Sequence, residues 1–314
     1  MATIRITPLK DELSFGTRIT GVNWDDLESD DVHNQIKRAF EDRGLIVFQD
    51  VEASDKMMLA LSNIIGPLQD LTLNTVSRVD SDTMPGVVKF TNKPSDANIF
   101  EINGKSLSGW TDWHFDACYT GVINRGGVLR VVDNPPEGGN TGFADGIQLY
   151  NALSPELRAK FTDLKILYQT KLMYQKQRFG LPKHFRMVSI QDELVRLFEE
   201  VDKAPRSVHP AVWTRRSGER VLHVAPYQAA GIQAHEDPEG DALLESLIEE
   251  IHAKMTPYWH EWKLTDMVAW DNWRFIHTAG GHDPSYSRTV HRTTITGDYG
   301  LGALEGSARQ SASR

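Results

Sequence analysis

His114-Phe-Asp116 puts an imidazole and a carboxylate two residues apart, inside the aromatic run Trp110-Thr-Asp-Trp-His-Phe-Asp-Ala-Cys-Tyr119. The run is rich in strand formers, and on a strand the side chains at i and i+2 share a face. A His and an Asp so placed can bind one metal ion. Two ligands rarely hold a metal alone, and the best third candidate lies far downstream, in Trp270-Asp-Asn-Trp-Arg-Phe-Ile-His277. Two imidazoles and one carboxylate on one side of a metal leave positions open on the other, the pattern of non-heme Fe(II) oxygenases. The short motif alone is weak; its surroundings strengthen it.

The segment after His277, Pro284-Ser-Tyr-Ser-Arg288-Thr-Val-His-Arg292-Thr-Thr, alternates and reads as a strand. Arg288 and Arg292 are then i and i+4 and face the same way. On a solvent face they are ordinary surface charge. On an interior face each needs an anion, because an unpaired buried charge is costly. The planar guanidinium fork suits a carboxylate. A dicarboxylate co-substrate chelating the metal would satisfy one of the two.

With these residues in hand, the chain resembles the TauD/TfdA family of Fe(II)- and 2-oxoglutarate-dependent dioxygenases. The resemblance is carried by His114-x-Asp116, by Gly138-Gly-Asn-Thr141-Gly-Phe-Ala-Asp145, by Trp270-Asp-Asn272 leading to His277, and by the spacing of Arg288 and Arg292. Pro135-Pro-Glu-Gly-Gly-Asn-Thr141, Ala152-Leu-Ser-Pro-Glu-Leu157, Ile19-Thr-Gly-Val22, Gly44-Leu-Ile-Val-Phe48 and Gly66-Pro-Leu68 extend it over nearly the whole chain. It implies that His114, Asp116 and His277 are the catalytic iron ligands and that Thr141 and Arg288 bind the distal carboxylate of 2-oxoglutarate, with O2 as the other co-substrate. Arg292 corresponds to a position that meets an acidic substrate group or supports the co-substrate.

The reaction so implied hydroxylates a C–H bond of a small, acidic organic substrate and releases succinate and CO2. A carboxylate at Asp116 argues against halogenation, because halogenases of this chemistry carry a small residue there. The same iron centre could desaturate, epoxidise or close a ring on a natural-product intermediate. A zinc-dependent hydrolase on the same three ligands is the alternative from another class, disfavoured by Thr141 and the arginine pair. Relatives of this kind are often dimers or tetramers, so the resemblance also implies a homo-oligomer.

Tyr119 and His223 join Arg292 as candidates for substrate contact. Val221-Leu-His-Val-Ala-Pro-Tyr227 departs from the family pattern, with Ala225 where an Asn is usual. The basic, aromatic stretch 171–186 has no obvious counterpart and reads as a cap insert. Both regions border the substrate side in relatives, so substrate identity transfers least. Among the 11 His, His209 reads as a packed strand residue and His291 should face away from the two arginines. His252 and His260 have no functional case. Trp113 and Phe115 alternate with the ligands and should pack in the core. Tyr174 and Phe185 approach the pocket only if the insert folds inward. Cys118 is expected to be a buried, inert thiol.

These residues must be positioned by a chain of 314 residues with ordinary globular composition, 40% hydrophobic and 25% charged. The formal net charge of -9 argues against nucleic acid or an anionic membrane as partner. A single cysteine excludes an internal disulfide and a Cys-rich zinc site. No apolar run spans a membrane and Met1–Thr7 lacks a signal-peptide core, so a cytoplasmic protein is the expectation. Helices are expected over 30–43, 55–65 (capped by Ser54), from Ser154-Pro155, over 191–201 and over 241–255. Short strands are expected across 4–22, 44–48, 110–119, 127–132, 164–168, 208–214, 221–224, 267–270 and 289–296. Leu71 to Lys105 shows little periodicity and reads as a loop and lid. Residues 301–314 read as a disordered tail. Many short strands with segregated helices make a mainly β chain with flanking helices (α+β), a sandwich or jelly roll. The family resemblance narrows this to a double-stranded β-helix in a single domain over 1–300.

Overall fold

The computed structural model describes residues 4–70, 76–80, 82–84, 86–170, 174–201 and 204–307. The strands of the first third are β1 (Arg5–Pro8), β2 (Thr17–Thr20), β3 (Leu45–Gln49), β4 (Val87–Asn92), β5 (Ile99–Ile102) and β6 (Lys105–His114). Then come β7 (Gly126–Asp133), β8 (Thr141–Asp145), β9 (Lys165–Tyr168), β10 (Arg186–Ser189), β11 (Ser207–Pro210), β12 (Val212–Thr214) and β13 (Arg220–Leu222). The last are β14 (Ala229–Ile232), β15 (Tyr258–His260), β16 (Met267–Asp271), β17 (Phe275–His282), β18 (Arg288–Ile295) and β19 (Ala303–Leu304). The helices are α1 (Asp30–Arg43), α2 (Asp55–Ile65), α3 (Gly146–Ala152), α4 (Pro155–Phe161), α5 (Asp192–Val201) and α6 (Pro238–Lys254).

Two large sheets dominate: one ordered β1-β2-β3-β16-β7-β18-β4, the other β10-β5-β6-β17-β8-β15. Their inner faces meet in one apolar cluster, where Val47, Val131, Val268 and Trp270 of the first pack with Phe143 and Phe275 of the second. The fold is the expected jelly roll of mainly β character. β16 shows why its sequence is apolar throughout. Val268 and Trp270 face the sheet interface, while Met267 and Ala269 face a second cluster with Ile36, Phe40, Met58 and Leu61 of α1 and α2. β18 alternates in the same way. Arg288, Val290, Arg292 and Thr294 point into an interior cavity. On its other face His291 meets Asp55, Thr293 meets Ser62 at 2.7 Å, and Ile295 joins the helical cluster.

Helix ends follow their sequence signals. Ser54 accepts from the Met57 N–H, Ser154 from Leu157 and Asp237 from Gly240, and Gly44 closes α1 at φ 71°. Arg216-Ser-Gly-Glu219 joins β12 to β13 in a hairpin. Gly127 has a packing reason: a Cβ there would lie 2.9 Å from the Trp270 ring.

The structure corrects three expectations. The stretch 71–105 is not one irregular loop: β4 pairs with β18 and β5 with β6, and residues 71–75, 81 and 85 lie outside the described residues. The period of two is hidden because β4 is an edge strand with polar residues on its open side and β5 is only four residues long. The tail is ordered at least through 307. β19 pairs with β11, and Glu305 bonds Arg206; 308–314 lie outside the described residues. Backbone pairing there does not depend on apolar side chains. The metal-motif strand ends at His114, so Asp116 stands in a turn.

Arg274 and Asp145 form a bidentate pair at 2.7 and 2.9 Å, almost fully buried, which ties β8 to the turn before β17. Breaking such a pair strands a charge in the core. Arg274→Met is expected to lower unfolding stability by about 3–5 kcal/mol, read as the midpoint shift in urea; a loss under about 1 kcal/mol would show that the pair is dispensable.

Candidate active site

His114 and His277 are direct cross-strand partners on β6 and β17. Opposed residues in an antiparallel pair share a face with Cβ atoms about 5 Å apart. Register alone therefore joins two residues far apart in sequence. Their ring centroids lie 4.1 Å apart. His114 Nδ1 donates to the Asp112 carbonyl at 2.8 Å, which leaves its Nε2 lone pair free. His277 packs against Phe143 and Trp270.

Asp116 reaches the same point from a turn. Asn272, fully buried, accepts from the Asp116 N–H at 2.8 Å and donates to the Asp116 carbonyl at 3.0 Å. The next residue, Ala117, sits at φ 59°, a conformation unfavourable for any residue with a Cβ. The Asn272 clamp thus does what strand geometry was expected to do. His277 Nε2 and Asp116 Oδ1 are 3.9 Å apart, and one ligand atom from each of His114, Asp116 and His277 lies within 4.8 Å of the others.

Protonation states suit a cation. Burial pulls both imidazoles below the usual histidine range, His277 far below it, although Asp116 pulls both upward. Burial alone would raise the Asp116 carboxyl. Arg292 and the two imidazoles outweigh it and hold the group below its usual range. Two neutral imidazoles, one carboxylate and convergent geometry fit Fe(II).

The site opens into a cavity of about 350 Å³ between the two sheets. Arg288 is buried at its edge with Nε and Nη2 unpartnered, and burial lowers its guanidinium to about 10. Gly139 makes room for it: a Cβ there would lie 2.9 Å from Arg288 Nε. Thr141 lines the same cavity from β8. A buried, incompletely bonded guanidinium with a hydroxyl facing the same space fits the distal carboxylate of 2-oxoglutarate. Arg292 donates to Asp116 Oδ1 at 2.8 Å and lies over the Phe90 ring, with Nε unpartnered. The two arginines share a face as their spacing requires.

Tyr119 lines the cavity, and burial raises its phenol. His223 does not reach it. Its ring stacks on Phe115 at 3.9 Å in the core behind the site, and burial lowers it to about 3. It stands on a buried strand end, where an apolar surround looks the same in sequence as a pocket wall. His209 is a buried strand residue bonded to Tyr299 and Thr120, and His291 faces away. Trp113 and Phe115 are core residues, Phe115 also bordering the cavity. Cys118 is buried, bonded to Gln228, with its thiol raised by burial. Residues 174–186 of the insert fold inward, while 171–173 lie outside the described residues; Tyr174 and Phe185 pack behind Trp110 rather than line the cavity.

Sequence reasoning missed the roof. Leu194, Leu197, Phe198 and Val201 of α5 line the cavity. Their i, i+3, i+4, i+7 spacing was the available signal. Gln191 anchors the helix by exchanging amide bonds with Asn98 at 2.9 and 3.0 Å.

A jelly roll with a His-Asp-His site and paired arginines on its inner face defines the class of non-heme iron oxygenases that use a 2-oxo acid. A family model described as taurine catabolism dioxygenase TauD, TfdA family, matches residues 5–294, and the chain belongs to that family. It is 28% identical over 298 residues to the (S)-phenoxypropionate/alpha-ketoglutarate-dioxygenase of Sphingobium herbicidovorans, covering 93% of this chain and 95% of that one. It is 23% identical to the alpha-ketoglutarate-dependent 2,4-dichlorophenoxyacetate dioxygenase of Cupriavidus pinatubonensis (84% and 88% covered). It is 22% identical to pentalenolactone F synthase of Streptomyces avermitilis (91% and 92% covered). A taurine dioxygenase from Burkholderia xenovorans superposes with TM-score 0.66 at 22% identity, covering 96% of each chain. AAD-2 in complex with Mn(II) and N-oxalylglycine gives 0.66 at 24%, covering 94% of this chain and 98% of that one. The protein is an Fe(II)- and 2-oxoglutarate-dependent dioxygenase, which sets aside the zinc hydrolase. Among the described residues no helix is long and apolar enough to cross a membrane.

Removing the Asn272 clamp should loosen Asp116. Asn272→Ala is expected to weaken divalent metal binding roughly 10- to 100-fold, measured by anaerobic titration with Co(II). Unchanged affinity would mean that Asp116 is held without it.

Proposed function

We propose that this dioxygenase hydroxylates a small organic carboxylate with an apolar body. The observation that carries the reading is the contrast inside the cavity. Arg288 and Arg292 are its only cations among the described residues, while Phe90, Trp110, Leu194, Leu197 and Phe198 supply apolar wall. The phenoxy acids named for two relatives combine one carboxylate with one apolar ring, which such a cavity suits.

In this reading His114, Asp116 and His277 hold the iron, and Thr141 and Arg288 hold the distal carboxylate of 2-oxoglutarate. When bound, iron with 2-oxoglutarate and O2 supplies the oxidising power that breaks a C–H bond, with succinate and CO2 released. The chain's own groups do the rest. Neutral imidazoles and an ionised Asp116 present lone pairs without proton loss. Arg292 steadies Asp116 through one nitrogen and keeps Nε for a substrate carboxylate. The α5 roof, with strands β4 and β5 beside it, acts as the cover that keeps water out.

A second reading has its own support. Similarity to pentalenolactone F synthase fits oxidative tailoring of a natural product at the same centre. Product mass separates the two: one oxygen gained against two hydrogens lost. We also place the enzyme in the cytoplasm as a homo-oligomer, consistent with its acidic balance and single buried thiol.

The test is anaerobic titration of apoprotein with Fe(II) and 2-oxoglutarate. A visible charge-transfer band should appear, vanish in His277→Ala and need far more 2-oxoglutarate in Arg288→Ala. Absence of the band with iron loaded would overturn the assignment. With an aryloxy acid as substrate, Asp116→Ala should abolish succinate formation coupled to O2 use. Arg292→Leu should raise KM at least about tenfold, the weight of a lost charged hydrogen bond.

A further inference from the structure

Trp262 lies outside every motif that defined the site, yet its indole Nε1 is 3.0 Å from Thr141 Oγ1 and both groups are buried. Indole N–H can only donate, so Thr141 must accept. A threonine hydroxyl has one hydrogen and two lone pairs. With a lone pair taken by Trp262, the hydrogen must point elsewhere, and among the described residues nothing accepts it. The side of Thr141 not occupied by Trp262 faces the cavity that also holds the buried, incompletely bonded Arg288.

The indole has little freedom to do otherwise. It packs edge-on against His260 at 4.4 Å, and His260 is held by Tyr258 at 3.2 Å. Thr141 and His260 are paired across β8 and β15, so the ladder that aligns the strands also aligns donor and acceptor. Thr141 pairs on its other side with Ala279 of β17, two residues from His277. The hydroxyl is therefore fixed in place by strands and fixed in polarity by an indole.

We propose that Trp262 is a positioning residue for the 2-oxoglutarate subsite, turning Thr141 into an obligate donor toward the distal carboxylate beside Arg288. This rests on the reading that Thr141 and Arg288 bind that carboxylate. Without the indole, the hydroxyl hydrogen is free to turn toward strand carbonyls, and the donor is lost for part of the time. Trp262 touches neither iron nor co-substrate in this scheme and acts only through Thr141.

The experiment measures 2-oxo acid affinity of the Fe(II) protein under argon, by the charge-transfer band, for 2-oxoglutarate and for 2-oxobutyrate, which lacks the distal carboxylate. Trp262→Phe should weaken 2-oxoglutarate binding about five- to twentyfold, a partial loss of a hydrogen bond to a charged group, because the donor is misdirected only part of the time. It should leave 2-oxobutyrate affinity within about twofold, whereas general damage to the pocket would weaken both alike. Thr141→Val should give a similar selective loss, and the double variant no more than Thr141→Val alone. If Trp262→Phe does not fold, site-specific 3-benzothienylalanine keeps the shape and lacks the N–H. Unchanged 2-oxoglutarate affinity in Trp262→Phe with a loss in Thr141→Val overturns the role of Trp262. Additive losses, or equal losses for both acids, overturn it too. No loss in Thr141→Val overturns the subsite assignment itself and the inference with it.

Discussion

The register between β6 and β17 is the constraint on which the site depends. It sets His114 opposite His277. A slip by one residue would send His277 and Ala279 to the other face, together with the pairing to Thr141. The register is over-determined: β17 is flanked on both sides, by β6 and β8, and its Phe275 and Ile276 are buried in separate apolar clusters. The metal geometry is thus a by-product of packing that the fold requires anyway. Only Asp116 escapes this control, and a side-chain clamp from Asn272 replaces it.

The second organising fact is electrostatic. The inner face of β18 carries two guanidinium groups into an interior cavity, Arg288 buried and Arg292 nearly so. One is partly neutralised by Asp116; the other has two nitrogens without a partner. A protein tolerates that cost when a ligand removes it, so the cavity is built for anions despite the negative charge of the whole chain. The placement of individual charged groups on the cavity wall, not the net charge of the chain, decides what binds there.

Much of this was legible in sequence. The three residue types that converge, the shared face of Arg288 and Arg292 and the outward face of His291 were readable from sequence, the last two from a period of two. Helices α1 and α2 end where their caps and glycine predict. What sequence did not show has physical reasons. Asp116 looks like a strand residue because the motif's aromatics favour strands, while the turn is imposed by a distant amide. β4 looks like loop because it is an edge strand that mixes polar and apolar residues, and β5 because four residues are too few to show a period. His223 looks like a pocket residue because burial against Phe115 and exposure to a ligand leave the same local sequence. Trp262 is silent because its role is a single hydrogen bond from the segment after β15 to a strand remote in sequence.

The strands bearing the chemistry and the elements covering it occupy different places in the sheets. β17 and β18 are interior strands, whereas β4 is an edge and α5 belongs to neither sheet. Edge strands and a surface helix tolerate substitution and length change that an interior ladder does not. Descendants of such a chain can therefore drift in what they recognise while the oxidising centre stays fixed. Divergence should accumulate in the roof first, which makes this scaffold a ready source of new catabolic or biosynthetic specificities from an unchanged reaction.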